Sequence, residues 1–369
     1  MTYPKPPNIS KRSIDRAGDI LINEMEDRTK LNEARIILNQ WRACHAYPMN
    51  TFNSTLRSKV RNGEFGKDVI IAQRLKRAST IIRKLSEGRD YDIHLLNMHD
   101  IVGVRAVLPT MEDVRNLEIN YRSNKKLQHI LHDRSKNYIQ EPKSKDGYRS
   151  VHLSYKYKNK LHKDWDGLYV EFQIRTKLQN SWATAVETMH AFLGKAIKTR
   201  QGQQSDEKWT EFFRLVSSAF AIIEGTPIVE AHKKMTSKQI LDTINLYEKE
   251  LKVMDKLKAY PKALNIIYNQ PGKSYFHLII LDTANRKVSV TSFSRDDIIG
   301  ANLAYTEAEK KYEGNPAVEP VLVSSTGDTL NQAYSSFFAN TIDFATNLAF
   351  LLSGRWINSL SVAKNKISV

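Results

Sequence analysis

One eight-residue run, Leu168–Arg175 (LYVEFQIR), limits the architecture more than any other part of the chain. Side chains alternate along a strand, so Leu168, Val170, Phe172 and Ile174 point one way and Tyr169, Glu171, Gln173 and Arg175 the other. Such a strand demands a sheet with one covered apolar face. Its opposite face keeps an acid, an amide and a cation in a row. A second run, Ile101–Leu108 (IVGVRAVL), is dense in β-branched residues and reads as a buried strand. Asp68–Leu75 and Tyr148–Tyr157 are further expected strands.

Helical spacing covers much of the rest. Helices are expected over Ser13–His45, Ser79–Leu85, Thr110–Asn124, Asn180–Leu193, Lys208–Glu224 and Ser237–Lys258. Pro261 ends the last of these. Beyond it the pattern changes to strands over Leu264–Tyr268, Ser274–Asp282, Lys287–Ser294 and Pro320–Ser324. A helix over Ser294–Tyr312 has Ser294 as its expected N-cap and Asp297 in the capping-box position. Helices over Thr329–Phe338 and Ile342–Ser353 complete the chain. The expected division is therefore 1–260 and 261–369, an α/β (α+β) chain with a mixed sheet flanked by helices and a small C-terminal α+β module.

Charge and cysteine content narrow the chemistry. The 369 residues carry a formal net charge of +16, which points to a polyanionic partner. One cysteine, Cys44, excludes a disulfide scaffold, a cysteine zinc site and an iron–sulfur cluster, and suits a reducing compartment. The start, MTYPKPPNISKRS, has no apolar signal core, and Phe344–Leu352 is too short to span a bilayer. A cytoplasmic protein with no membrane partner is expected.

Four segments hold polar residues with chemical potential. In Arg74–Lys84, a strand end carrying Arg74 and Lys76 leads to a helix that Ser79 or Thr80 would cap, with Lys84 one turn beyond Thr80. Three cations around a helix start suit a triphosphate. A solvated basic helix explains the segment as well. Asp100 stands at the mouth of a buried strand, where an unpaired acid is costly and Mg²⁺ is a natural partner. The His99-Asp100 dipeptide is set aside as a phosphohydrolase signal, because no matching His/Asp set accompanies it. In Asn137–His152, the Asp146-Gly147 turn precedes Tyr148, Ser150 and His152. These three would alternate onto one strand face, with Tyr148 free to stack on a base. Glu171 could bind Mg²⁺ or accept a hydroxyl proton.

In this order the segments resemble the synthetase domain of the RelA/SpoT family. The matching residues are Arg74/Lys76/Thr80/Lys84, then Asp100 to Arg105, then Pro142-Lys143 and Gly147-Tyr148-Arg149-Ser150-Val151-His152. Val170-Glu171-Phe172-Gln173-Ile174-Arg175-Thr176 with Trp182-Ala183 and Glu187 close the series. The resemblance implies a nucleotidyltransferase-like fold and transfer of the β,γ-pyrophosphate of ATP to a ribose 3′-hydroxyl. Arg74, Lys76, Thr80, Lys84 and Arg105 would bind ATP. Asp100 and Glu171 would hold Mg²⁺, with Glu171 also the base. Tyr148, His152, Gln173, Lys143 and Arg149 would bind the acceptor. Arg105 lies an odd number of residues from Asp100, so a regular strand would point them to opposite faces.

Two branches of that family differ in acceptor. Alarmone synthetases use a free nucleotide, whereas toxic small synthetases modify the 3′-terminal adenosine of tRNA. Residues 122–163 hold twelve Lys/Arg against three Asp/Glu, a density suited to an RNA backbone. Trp41–Pro48 and the added C-terminal module resemble the CapRel fused toxin–antitoxin proteins of phage defence. That resemblance implies a toxin restrained by residues 261–369 and triggered by a phage protein such as a capsid subunit. The runner-up is a (p)ppGpp or (p)ppApp synthetase. A binding module with a decayed synthetase fold is disfavoured by the paired carboxylates Asp100 and Glu171.

Overall fold

The computed structural model describes residues 3–357 apart from 24–26, 63–64, 66–67, 89–92, 125–126, 194–201, 252, 255–273, 283–286, 295, 314, 316–317 and 325–341. By contacts the chain divides into two units. One is Met1–Tyr138 with Ser150–Lys177, and the other is Ile139–Arg149 with Leu178–Val369.

The first unit opens with helices α1 (Lys11–Leu21), α2 (Arg28–Cys44) and α3 (Ala46–Arg61). The single helix expected over Ser13–His45 is thus two, and α3 follows α2 almost without a break. Ser10 caps α1 by accepting the Ser13 N–H. Next come β1 (Ile70–Leu75), α4 (Ala78–Glu87), β2 (Val102–Leu108), α5 (Met111–Ser123), β3 (Ile130–Leu131), β4 (Lys136–Asn137), β5 (Val151–Lys156) and β6 (Tyr169–Thr176). The sheet order is β1-β2-β6-β5-β3, with β4 also paired to β5. β2 and β6 run parallel and every other pair is antiparallel, so the sheet is mixed.

Register sorts this sheet into two faces. Val104, Phe172 and Leu153 lie in one row and Ala106, Ile174 and Val151 in the next, all buried. Helices α3 and α5 cover that face. Asn53 of α3 donates to Gln73 Oε1 at 2.7 Å, and the Tyr155 hydroxyl donates to the Tyr121 carbonyl of α5 at 2.8 Å. The opposite face carries the row Arg74–Gly103–Glu171–Ser154 and, beside it, Ala72–Arg105–Gln173–His152–Lys136. The alternation read in Leu168–Arg175 therefore holds, although Arg175 is itself buried.

In the second unit, α6 (Lys177–Leu193), α7 (Gly202–Ile223), α8 (Ser237–Leu251) and the helical residues 342–352 enclose one apolar core. Trp182, Phe212, Phe213, Phe220, Ile240 and Ile244 meet Phe344, Leu348, Leu351 and Trp356 there. A separate sheet has the order β8-β7-β9, from β7 (Ser274–Asp282), β8 (Lys287–Ser294) and β9 (Val318–Ser324), with α9 (Ile298–Lys311) packed on it. Asp297, not Ser294, is the N-cap of α9 and accepts the Gly300 N–H, because Ser294 still belongs to β8. The strand expected over Leu264–Tyr268 and the helix over Thr329–Phe338 lie outside the described residues.

The segment Ile139–Arg149 is moored to α7. The Ser217 hydroxyl donates to the Gly147 carbonyl at 2.6 Å, and Arg149 Nε donates to Ser217 Oγ at 2.9 Å. Gly147 has φ +80°, and a Cβ there would sit 3.1 Å from Ser217 Cβ and 3.2 Å from Arg214 Cα. Both the backbone conformation and the close approach require glycine.

Candidate active site

Four of the expected residues, Lys84, Asp100, His152 and Glu171, line one cavity of about 170 Å³ on the polar side of the first unit. Asp100 lies two residues before β2 begins, outside the regular strand. The parity argument that set it against Arg105 therefore does not apply. Arg105 shares its face with Glu171 and Gln173, and Asp100 reaches the same cavity from the preceding turn.

Asp100 Oδ2 receives Lys76 Nζ in a short ion pair and Lys84 Nζ at 2.7 Å. Lys76 is placed by its own N–H, which donates to the Ile101 carbonyl at 2.7 Å, and by Arg42 of α2, whose Nε donates to the Lys76 carbonyl at 3.0 Å. Burial pushes the Asp100 carboxyl up, but the two lysines outweigh it and hold the group below the usual carboxylate range. Lys76 is drawn down by burial, an effect that Asp100 offsets only in part.

Glu171 is held from both sides. Its Oε2 lies 3.2 Å from His152 Nδ1, and its Oε1 accepts from Gln173 Nε2 at 2.5 Å. Burial alone would raise its pKa, yet the hydrogen bond and charge of His152, with help from Gln173, bring it down to about 2. A carboxylate stabilised to this degree stays ionised, as both a cation ligand and a proton acceptor must be. Gln173 is itself oriented by Arg105 Nε at 3.3 Å and Arg175 Nη2 at 2.8 Å, both donating to its Oε1.

The donor set suits Mg²⁺. Asp100 Oδ1 is buried with no hydrogen-bond partner among the described residues. No group of three or more His, Cys, Asp or Glu side chains arranged for a metal occurs among them. Two carboxylates with an open lone pair match an ion that takes few protein ligands and completes its shell with phosphates and water, not one caged by protein alone.

Other expected residues sit differently. Helix α4 starts at Ala78 after Arg77, with no side-chain cap bond, so Ser79 and Thr80 lie inside its first turn and do not cap it. Arg74 is exposed on the polar face, in the row of Glu171. Tyr148 and Ser150 precede β5, because the chain is still in the turn set by Gly147, so only His152 of the three takes the expected strand face. Tyr148, Lys143 and Arg149 belong to the second unit. There Lys143 Nζ stands 5.0 Å from the Tyr148 ring centroid. Arg149 is buried, with Ser217, the Ile139 carbonyl and Thr226 as partners.

Sequence reasoning missed His99, Ser154, Arg134, Lys136 and Tyr138, all of which line the cavity. Arg134 and Lys136 fall in the basic stretch 122–163, and neither has an ion-pair partner among the described residues. The two-residue strand β4 that brings Lys136 opposite His152 is too short to leave a periodic signal.

Residues 73–192 match the family described as the region found in RelA / SpoT proteins. A GTP pyrophosphokinase of Bacillus subtilis (strain 168), YwaC, is 33% identical over 88 residues, which are 24% of this chain and 40% of that protein. The chain therefore matches less than half the length of that relative. Among solved structures, small alarmone synthetase 1 of Bacillus subtilis bound to its product pppGpp has 22% identity and a TM-score of 0.40, over 51% of this chain and 92% of that one. Small alarmone synthetase 2 of the same organism has 22% identity and a TM-score of 0.39, over 52% and 94%. Lys84, Asp100, His152 and Glu171 of the cavity, and Lys76 paired with Asp100, all lie within the residues that match that region.

Proposed function

We propose that this protein is an ATP-dependent pyrophosphokinase that transfers the β,γ-pyrophosphate of ATP to the 3′-hydroxyl at the CCA end of tRNA. The observation that carries the reaction class is that Asp100, paired with Lys76 and Lys84, lines the same cavity as the Glu171–His152 pair. The 3′-oxygen forms a bond to the β-phosphorus, the bond from that phosphorus to the α-phosphate oxygen breaks, and AMP leaves. Such a transfer depends on positioning and charge neutralisation and needs no covalent protein intermediate. Arg74, Lys76, Thr80, Lys84 and Arg105 hold the ATP. Asp100 and Glu171 would hold Mg²⁺, which neutralises charge on the transferred phosphates. Glu171, with His152 buffering its charge, receives the hydroxyl proton. Tyr148, with Lys143 beside its ring, stacks on the acceptor base, whereas the buried Arg149 holds the turn that carries Tyr148.

The tRNA acceptor is supported by the basic stretch 122–163, in which Arg134, Lys136, Lys156, Lys158, Lys160 and Lys163 are exposed. A backbone of many phosphates uses such a surface, and a single nucleotide does not. The second reading, a free guanine or adenine nucleotide as acceptor, is favoured by the GTP pyrophosphokinase relative. ATP labelled at the β-phosphate, incubated with bulk tRNA or with GDP and GTP, separates the two. Label confined to nucleotide would end the tRNA reading.

The remaining proposals concern restraint. Residues 261–369 would hold the toxin inactive until a phage protein such as a capsid subunit binds, in the cytoplasm. Among the described residues no helix is long and apolar enough to cross a membrane. Phe344, Leu348, Leu351 and Trp356 share a core with α7 and α8, so deleting everything past 260 would open that core. Release is therefore tested on the whole chain, as transfer with and without added phage virions. Equal rates across phages that the host resists would sink the defence reading.

A further inference from the structure

His99 precedes Asp100, and the mechanism above gives it no task. Its ring stacks on Tyr169 with centroids 3.8 Å apart and planes 12° apart. Its Nδ1 shares a 2.7 Å hydrogen bond with the Ser154 hydroxyl. His132 packs edge-on against both rings of the stack, at 4.5 Å and 5.6 Å. These contacts converge on Glu171. Tyr169 is two residues before it on the same strand face, and Ser154 is its direct cross-strand partner on β5. Ser154 is fixed in turn, since its N–H donates to Ser135 Oγ at 3.0 Å and its carbonyl accepts the His132 N–H at 2.7 Å.

We infer that His99 is a positioning residue that ties the peptide bearing Asp100 to the two strands around Glu171 and so sets the spacing of the carboxylate pair. Lys76 and Lys84 also orient Asp100, but through its Oδ2, where an incoming cation and the phosphates compete for the same charges. His99 acts through the neighbouring peptide, so its hold survives that exchange. Partners one shell beyond metal ligands are commonly worth 10–100-fold in metal affinity or activity. The role assigned to His99 rests on the proposed Mg²⁺-dependent transfer.

The test uses full-length His99→Ala, His99→Asn and Ser154→Ala. Asparagine restores a polar atom near the Nδ1 position without the ring. Two readouts are needed besides the melting temperature: binding of Mn²⁺ alone, followed by its paramagnetic resonance, and the Mg²⁺ dependence of transfer from ATP. His99→Ala is expected to weaken Mn²⁺ and raise half-saturating Mg²⁺ by about 10-fold or more. KM for ATP at saturating metal should change little. His99→Asn should recover part of the loss, and adding Ser154→Ala to His99→Ala should cost nothing further, since both cut one tie. Unchanged Mn²⁺ affinity in His99→Ala would overturn the inference. So would losses that follow the folded fraction, with asparagine no better than alanine. Should His99→Ala fail to fold, His99→Asn and Ser154→Ala carry the same comparison. If the unmodified chain transfers no pyrophosphate, the pyrophosphokinase reading fails, while the Mn²⁺ titration still decides the role of His99.

Discussion

Both units pair histidine with serine and with glutamate, and the two arrangements do opposite things. In the second unit Ser218 Oγ lies 2.8 Å from His232 Nδ1, and His232 Nε2 lies 2.9 Å from Glu211 Oε1. The order serine–histidine–acid is that of a hydrolytic triad. Yet Ser218 is fully buried and His232 is 1% exposed, so no substrate reaches either. Ser218 Oγ also accepts the Val229 N–H at 3.3 Å, which pins the segment after Gly225 to α7. In the first unit the parts are divided between two histidines. His99 takes Ser154 and His152 takes Glu171, and all four line a cavity. Bond lengths alone would rank the sealed trio first. Access to solvent, and the lysines paired with Asp100, make the other the candidate site.

The two glutamates give the largest contrast. Glu171→Gln should cut pyrophosphate transfer by about 10³-fold, since it removes an ionised ligand and proton acceptor together. Glu211→Gln should leave transfer per folded molecule within about twofold, because its bonds go to buried His232 and to Arg214 of its own helix. Equal losses in the two variants would break the distinction drawn here. Lys76→Ala comes next, with an expected loss of about 10²-fold in kcat/KM, for want of a preorganised cation. His232→Ala should instead lower unfolding free energy by about 1–3 kcal/mol, leaving Ser218 and Glu211 with unsatisfied polar groups. Chemical denaturation measures it, and kcat of the surviving protein should not move.

The smallest effect is in acid. Glu171 is lowered to about 2 in the folded chain, and Asp100 is lowered as well. A carboxylate more acidic when folded than unfolded contributes stability above its unfolded value, and loses it as pH falls through the folded one. Stability should therefore decline from about pH 4.5 towards pH 2. Urea midpoints across that range should fall less steeply in Glu171→Gln than in the unmodified chain. Salt sharpens the acceptor question. Transfer to tRNA should fall steeply from low to physiological ionic strength, and transfer to GTP should fall much less.

The sheet was largely legible in the sequence because its signals are local. Alternation in Leu168–Arg175 and the β-branched run before Pro109 each specify a strand and its faces within eight residues. The resemblance carried by the four ordered segments pointed to Lys84, Asp100, His152 and Glu171, which line one cavity. What escaped was set by tertiary partners. The end of α1 and start of α2 carry no proline or glycine between Asn23 and Arg28, so one periodic pattern hid two helices. Tyr148 has strand-like neighbours, but the left-handed Gly147 and its Ser217 bond keep it in a turn. His99 looked like half of a metal motif, because stacking on Tyr169 and a bond to Ser154 come from residues 55 or more positions away.

The parallel pairing of β2 with β6 has a consequence in time. Arg105 and Gln173, neighbours across that pair, are 68 positions apart in the chain. The antiparallel pairs β1–β2 and β5–β6 join nearby segments and can form early, whereas closing the long intervening loop is entropically dearer and slower. Asp100 precedes β2 and Glu171 lies within β6, so the carboxylate pair exists only once that last seam closes. A chain still emerging from a ribosome has both halves of the site at separate addresses until β6 has been synthesised.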